Sequence, residues 1–230
     1  MKQLKTKAIV LSRINYREAD RIVTVISEDY GKIRLMARGV RNLKSKLAGG
    51  IELFTVNDIS FIQGRGDIST LVSSRLQSNY ANILTDLERV QAGYEFLKTV
   101  DKAVQDGSGS EYFYLLKAAL SGLNDLRLGR EAMRLWFTSR LIAISGHSPN
   151  LITEKNGAKL SEDSGYGFDS DAMCFFVQAK GKFTANDVKY LRLAFSSNDP
   201  GIIGRVKGAE ELAVKLLPLV TSMRSIYLFG

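Results

Sequence analysis

The fold of this chain is decided mainly by residues 21–40, which read RIVTVISEDYGKIRLMARGV. The first eight are rich in β-branched side chains, Asp-Tyr-Gly at 29–31 is a turn signal, and residues 32–40 alternate between polar and apolar. This pattern predicts two strands joined by a turn. The alternation places Lys32 and Arg34 on one face of the second strand, and Ile33 and Leu35 on the other face, toward a core.

Three more stretches near the N-terminus have the same character. Strands are predicted at residues 5–13, 51–63 and 67–76, and Gly-Arg-Gly at 64–66 is typical of a hairpin turn. Five short strands within 80 residues favour a small closed or partly open barrel.

After residue 80 the apolar residues recur with helical spacing. Helices are predicted at 82–105, 111–123, 130–144, 184–196 and 209–224. Residues 150–182 are rich in Gly, Ser and Asp and predict a small short-stranded unit. The fold class is therefore α+β and multidomain: a five-stranded barrel over 1–80, a helical domain over 81–149 and 183–230, and the small unit over 150–182.

The net charge of +8 is localised at one end of the chain. Twelve basic and four acidic residues lie in the first fifty positions, so this segment carries all of the net charge. Such a field indicates a polyanionic partner, with nucleic acid as the first candidate and an anionic membrane surface as the second.

The strongest basic stretch is residues 37–46, which hold four cations and no acid between two strands. A flexible cationic loop suits contacts to phosphates, although a loop made basic for solubility is the alternative. Tyr16 and Tyr30 are candidates for stacking on bases, whereas Phe54 and Phe61 are expected to fill the barrel. The predicted nucleic-acid-binding residues are Arg13, Arg17, Lys32, Arg34, Arg38, Arg41, Lys44 and Lys46.

Several function classes find no support in the sequence. The chain has one histidine, His147, and one cysteine, Cys174, and it lacks a phosphate-binding glycine loop, a nucleophile elbow and an HExxH pair. Glu18 and Asp20 are expected to form structural ion pairs with the neighbouring arginines. No apolar run is long enough for a membrane span, and the apolar stretch near the N-terminus is too short for a signal peptide. We therefore expect a cytoplasmic protein that is not an enzyme.

Three stretches resemble the RecO recombination mediators of bacterial DNA repair. Residues 16–31, YREADRIVTVISEDYG, are similar to the opening motif of that family. Residues 37–41 with 44–46 are similar to its basic loop, and residues 140–151 match the helix end and Gly-x-x-Pro-x-Leu that precede its zinc-ribbon-like unit. The resemblance spans most of the chain in order and is most specific in the N-terminal part.

The resemblance implies an N-terminal OB-fold, a helical domain and a small zinc-finger-like domain. It also implies single-stranded DNA binding and strand annealing in the bacterial nucleoid. The implied partners are single-strand-binding protein and RecR, with help in loading RecA and no membrane partner. The alternative is an OB-fold RNA-binding or transcription- or ribosome-associated factor without annealing activity. A nucleic-acid enzyme would need clustered carboxylates near the basic face, where acids are few.

The chain departs from the family at the zinc unit. Many members carry Cys-x-x-Cys-Gly and then a second Cys-x-x-Cys, but the corresponding stretches here are TEKNG at 153–157 and CFFV at 174–177. One thiolate with Thr, Asn and Val cannot form the tetrahedral site of a structural zinc. We therefore expect no metal, and apolar packing instead by Phe168, Phe175, Phe176 and Val177.

A receptor for the acidic, aromatic-ended tail of a single-strand-binding protein needs an apolar cleft rimmed by cations. Arg127, Arg130 and Arg134 have helical spacing and are the predicted rim. Leu126, Met133 and Phe137 are the predicted floor. The alternative is a solvated arginine face paired with Glu131 and Asp125.

Overall fold

The computed structural model describes residues 2–42, 45, 47–64, 66–104, 109–162 and 164–228. The chain forms two compact units, Met1–Leu126 and Arg127–Gly230. These boundaries differ from those of the three predicted domains, and the three-part division stays a prediction.

The first unit begins with a closed barrel of five strands in the order β1-β2-β3-β5-β4. Its strands are β1 (Gln3–Tyr16), β2 (Asp20–Ser27), β3 (Gly31–Ala37), β4 (Thr55–Ile62) and β5 (Ile68–Asn79). Strands β3 and β5 pair in parallel and the other neighbours pair antiparallel. The predicted OB-type barrel, and with it the α+β class, is confirmed.

Alternation along the strands fills the barrel interior. Val10, Val23, Leu35 and Phe61 lie there and are almost completely buried. Phe54, which we expected in the same core, instead lies outside it, against the helix that follows the barrel. A side chain at Gly93 would lie 2.7 Å from its ring, so only glycine permits this contact.

Two helices complete the first unit: α1 (Leu87–Ala103), preceded by a 3₁₀ turn at Ala81–Thr85, and α2 (Glu111–Asn124). Helix α1 begins later than predicted because the Asp86 carboxylate accepts hydrogen bonds from the first free backbone N–H groups. The buried guanidinium of Arg89 donates to the carbonyls of Leu123, Asp125 and Leu126, and so closes the end of α2.

The second unit combines four helices with a small sheet. The helices are α3 (Arg130–Ile144), α4 (Ala185–Ser196), α5 (Pro200–Gly204) and α6 (Ala209–Leu228). Helix α5 was not predicted; Pro200 opens it and Asp199 caps it. Helix α3 ends at Ile144, as expected; Gly146 follows with φ of 84°, and the backbone N–H of His147 donates to Ile142 O at 3.1 Å. None of the described helices is both long and apolar enough to cross a membrane.

The small sheet has the strand order β6-β8-β7-β9. Its strands are β6 (Asn150–Glu154), β7 (Gly165–Asp169), β8 (Cys174–Val177) and β9 (Phe183–Thr184). Phe175 is fully buried at the centre of an aromatic cluster, with ring centroids 5.0 Å from Phe168, 5.6 Å from Phe183 and 6.4 Å from Tyr166. Val177, another expected packing residue, is about half exposed.

Candidate nucleic-acid interface

Two loops are joined at one end of the barrel, and we call residues 16–20 and 38–42 the loop platform; the second loop is cationic, whereas the first holds Arg17 together with Glu18 and Asp20. The backbone N–H of Arg41 donates to Ala19 O and its Nη1 donates to Glu18 O, each at 2.9 Å. The backbone N–H of Gly39 donates to Asp20 Oδ1 at 2.7 Å. These bonds hold the β1–β2 turn against the loop that follows β3, so the two loops present one surface.

The turn itself has a distinctive backbone. Arg17 has φ of 52°, in the left-handed region, and its guanidinium lies 5.3 Å from the ring centroid of Tyr16. The expected ion pair of Asp20 with a neighbouring arginine is not formed. Asp20 caps the second loop instead, and Arg21 Nε donates to Asn15 Oδ1 at 3.0 Å. Asp20 is therefore structural, as expected, but through a different partner.

The outer face of β1, β2 and β3 carries a row of apolar side chains beside the loop platform. Ile14 pairs with Ile22, and Ile22 pairs with Met36, so the three lie side by side across the strands. We call Ile14, Ile22 and Met36 the apolar row. Ile14 is 60% exposed, and Tyr16, two residues along on the same side of β1, is 40% exposed.

Two arginines flank the apolar row. Arg34 lies in the next row of the same face, opposite Thr24, and Arg38 follows the end of β3. Both side chains are exposed. Within the described part of the chain, neither forms an ion pair with an acid. Arg34, Arg38 and Arg17 are therefore the predicted cations with charge available to a polyanion.

Three other predicted nucleic-acid-binding residues contact protein groups. Arg13 Nη1 contacts Glu52 Oε2 at 2.6 Å. Lys32 Nζ donates to the backbone carbonyl of Asp101 at 2.8 Å and lies 3.6 Å from its carboxylate, so it attaches α1 to the barrel. Arg41, as described above, holds the loop platform together. The predicted residues Lys44 and Lys46 lie outside the described residues.

The apolar row was not predicted from the sequence. Two pairs of adjacent apolar residues, Ile22-Val23 and Leu35-Met36, interrupt the polar–apolar alternation and could have indicated it. Since successive side chains of a strand point to opposite faces, one member of each pair must point outward. Val23 and Leu35 lie in the core, which leaves Ile22 and Met36 on the outer face.

A second region of the barrel is less suited to a polyanion. A groove of about 430 Å³ holds Lys5, Lys7 and Arg75, but also the acids Glu28, Asp29 and Asp58. Lys7 and Glu28 are 3.4 Å apart. The charges in this groove balance, unlike those beside the apolar row.

The predicted tail-binding arginines and their predicted floor have mixed surroundings among the described residues. Arg134 Nη1 contacts Glu131 Oε1 at 2.6 Å, a pairing that the alternative interpretation included, but both side chains are largely buried and not solvated. Of the three expected floor residues, Met133 and Phe137 are buried in the core, whereas Leu126 is 56% exposed. The large groove of this unit, about 1030 Å³, lies between α4 and α6, and its lining residues include none of Arg127, Arg130 and Arg134. A tail-binding role for these arginines stays a prediction.

The residues at the family's zinc positions do not fit that metal. The Thr153 hydroxyl accepts a hydrogen bond from the Asn150 amide at 2.8 Å, and Asn156 Oδ1 accepts one from the Ala158 N–H at 2.9 Å. Both groups are thus engaged in local turns. Burial and the nearby Asp169 charge raise the pKa of the Cys174 thiol, whereas zinc requires a thiolate.

We expect the purified protein to contain no stoichiometric zinc and to keep its thermal midpoint in the presence of a chelator. Because its pKa is raised and it is buried, Cys174 should react with an alkylating reagent at neutral pH only after the chain is unfolded. Elemental analysis and thiol titration in native and denaturing buffer are the measurements. About one zinc per chain, or a fall in midpoint on chelation, would contradict this expectation.

Comparison with known proteins places the barrel segment in a described family. Residues 1–80 match the family described as "Recombination protein O N terminal". The DNA repair protein RecO of Desulfatibacillum aliphaticivorans is 28% identical over 178 residues, which is 76% of this chain and 67% of that protein. The RecO protein of Trichodesmium erythraeum is 33% identical over 147 residues, covering 64% of this chain and 50% of that protein. In Bifidobacterium longum subsp. infantis the RecO protein is 30% identical over 155 residues, or 66% of this chain and 65% of that protein. The matched region thus spans about half to two thirds of these relatives.

Proposed function

We propose that this chain is a DNA repair and recombination mediator of the RecO type, because residues 1–80 match the RecO N-terminal family and similar proteins are named DNA repair protein RecO. In this role it binds single-stranded DNA and anneals complementary strands. The observation that carries the proposal is the loop platform with its flanking arginines, where exposed positive charge lies beside an open face of an OB-type barrel. OB-folds commonly bind single strands on this part of the barrel.

Annealing needs two phosphate backbones to approach each other. A cationic surface lowers their mutual repulsion and releases counterions as each strand binds. Arg34 and Arg38 supply exposed charge, and Arg41 keeps the two loops in one orientation. The proposed role requires no covalent bond to be made or broken, so no catalytic residue is assigned.

The proposed partners are single-strand-binding protein, RecR and, indirectly, RecA. Support for them comes from the family alone, since the relatives are named DNA repair protein RecO. In this scheme the chain anneals or exposes strands that are coated by single-strand-binding protein, in the bacterial nucleoid. Together with RecR, it helps to load RecA onto those strands.

The test is a fluorescence measurement of annealing between two complementary labelled oligonucleotides, with and without single-strand-binding protein. We expect this chain to accelerate annealing of bare strands, and to retain that effect when the strands are coated. A preference for structured RNA, with no acceleration of DNA annealing, would favour the RNA-binding or ribosome-associated alternative. Cleavage of the strands by clean protein would instead indicate an enzyme.

A further inference from the structure

We propose that Arg13 is a positioning residue of the nucleic-acid interface and not one of its phosphate contacts. Through Glu52 and the Ile51 carbonyl, it fixes the end at which the loop after β3 returns to the barrel. An acidic side chain, Glu52, is then required for the binding of a polyanion. The inference rests on the proposed function and deepens it, because it separates residues that hold the interface from residues that touch the strand.

The first argument is the face of β1 from which Arg13 extends. The register of β1 shifts between Val10 and Ser12, and beyond this shift Arg13 pairs with Val23 of β2. Residues directly opposite each other in an antiparallel pair lie on the same face of the sheet, and Val23 belongs to the barrel core. Arg13 therefore extends from the inner face of the barrel wall, near the end of the strand, and its side chain is only 24% exposed. The next residue, Ile14, lies on the outer face.

The second argument is that both ends of the cationic loop, residues 38–46, are attached to the barrel. Its first end is held by the loop platform. Beyond its second end lies a segment that we call the loop anchor, residues 47–54. The Ser74 hydroxyl of β5 donates to the Gly50 carbonyl in this anchor. Three apolar side chains of the anchor belong to the barrel core or pack against it: Leu47, Ile51 and Leu53.

The third argument is the set of partners around the Arg13 guanidinium. Its Nη1 lies 2.6 Å from Glu52 Oε2 and 3.5 Å from the Ile51 carbonyl oxygen. The Thr55 hydroxyl at the start of β4 donates to the Glu52 carbonyl at 2.7 Å, so Glu52 joins β1 to β4. A phosphate at Arg13 would have to displace this carboxylate and would be repelled by it.

The anchor matters for binding because of conformational entropy. A cationic loop whose two ends are fixed loses less freedom when it binds a strand than a loop that is attached at one end only. Breaking the pair of Arg13 and Glu52 should therefore lower affinity even though the cations of the loop itself are unchanged.

The experiment measures the affinity for single-stranded DNA, across a salt series, of Arg13→Gln, Glu52→Gln and the double variant. These variants lower the net charge by one, raise it by one and leave it unchanged. Each should nevertheless weaken binding by about fivefold, because each removes the same ion pair. The slope of log affinity against log salt should stay near the wild-type value, since no phosphate contact is lost.

Two matched variants serve as controls. Arg38→Gln removes an exposed cation of the loop, and should both weaken binding and lower the salt slope by about 0.7, as expected for a phosphate contact. Asp67→Asn raises the net charge by the same amount as Glu52→Gln, and Asp67 is exposed just before β5. Asp67→Asn should not weaken binding.

Limited digestion with trypsin is a second measurement, and it needs no DNA. Glu52→Gln should be cleaved within the cationic loop severalfold faster than the wild-type chain, because its anchor opens more often. Asp67→Asn should be cleaved there at the wild-type rate. The possible cleavage sites are the four cations of the loop: Arg38, Arg41, Lys44 and Lys46.

Three results would overturn the inference while leaving the proposed function intact. Tighter binding by Glu52→Gln would show that the acid competes with the strand for Arg13. A salt slope lowered by about 0.7 in Arg13→Gln would assign this arginine to a phosphate. Equal digestion of Glu52→Gln and the wild-type chain would show that the pair does not hold the loop.

Failure of the proposed function gives a different result. If the wild-type chain binds no single strand, the proposed function fails, and the role of Arg13 in the interface fails with it. The altered side chains are exposed or half-buried, so we expect the variants to fold, which circular dichroism and thermal midpoints would verify.

Discussion

Replacing Arg34 and Arg38 with glutamate should weaken the binding of single-stranded DNA by about a hundredfold at roughly 0.1 M salt. Each charged contact to a phosphate is worth about 1.5 kcal/mol or more, and two of them give about 3 kcal/mol, or a factor of about a hundred. The slope of log affinity against log salt should also become shallower by about 1.4, since each phosphate contact on a single strand contributes about 0.7. Fluorescence anisotropy across a salt series measures both quantities.

The control for this prediction is a charge reversal away from the loop platform. Lys98 on α1 is exposed, and Lys98→Glu changes the net charge by the same amount as either arginine substitution alone. It should reduce affinity much less than Arg38→Glu. If the two single variants weaken binding equally, the effect belongs to the overall charge and not to this surface. Unchanged affinity in a folded double variant would move the interface elsewhere on the chain.

Replacing Phe175 with alanine should destabilise the second unit by about 3–5 kcal/mol. The side chain is fully buried and contacts three other aromatic rings, so its removal loses the burial of a large apolar group and leaves a cavity. Urea unfolding followed by tryptophan fluorescence is the measurement. The only tryptophan of the chain, Trp136, is buried in α3 of the same unit, so its signal reports this unit and not the barrel.

A matched substitution in the same strand tests whether the aromatic cluster is responsible. Val177→Ala removes apolar atoms from a side chain that is 49% exposed, and should cost less than about 1 kcal/mol. A Phe175→Ala variant that loses as little as Val177→Ala would show that the small sheet is stabilised in some other way. The expected contrast would indicate that aromatic packing makes a large contribution to the stability of this unit.

Much of the architecture follows from local pattern. Period-two alternation in residues 21–40 is sufficient to predict β2 and β3, and helical spacing locates α2, α3 and α4 within a residue or so. The concentration of positive charge near the N-terminus is a property of composition, so it needs no structure to be seen. The observed helix boundaries differ from the predicted ones where a side chain caps the backbone, as Asp86 does at the start of α1.

Local pattern does not tell which basic side chains stay exposed and which are bonded to other parts of the protein. The alternation of β3 places Lys32 and Arg34 on the same face. Lys32 nevertheless bonds to Asp101, which is 69 residues away, whereas Arg34 stays exposed. Arg41 looks like another phosphate-binding cation, but its guanidinium holds the β1–β2 turn. In both cases the deciding partner is distant in sequence, and periodicity carries no information about distant partners.

The sequence by itself therefore determined the class of most elements, the barrel and the concentration of positive charge near the N-terminus, because these depend on neighbouring residues and on totals. Only the tertiary structure decided that Ile14, Ile22 and Met36 form one row, since strand register joins residues from three separate segments. It also decided which arginines keep their charge exposed beside that row. Pairing across the fold, rather than residue type, decides which side chains of the basic segment lie together and which of its charges stay exposed.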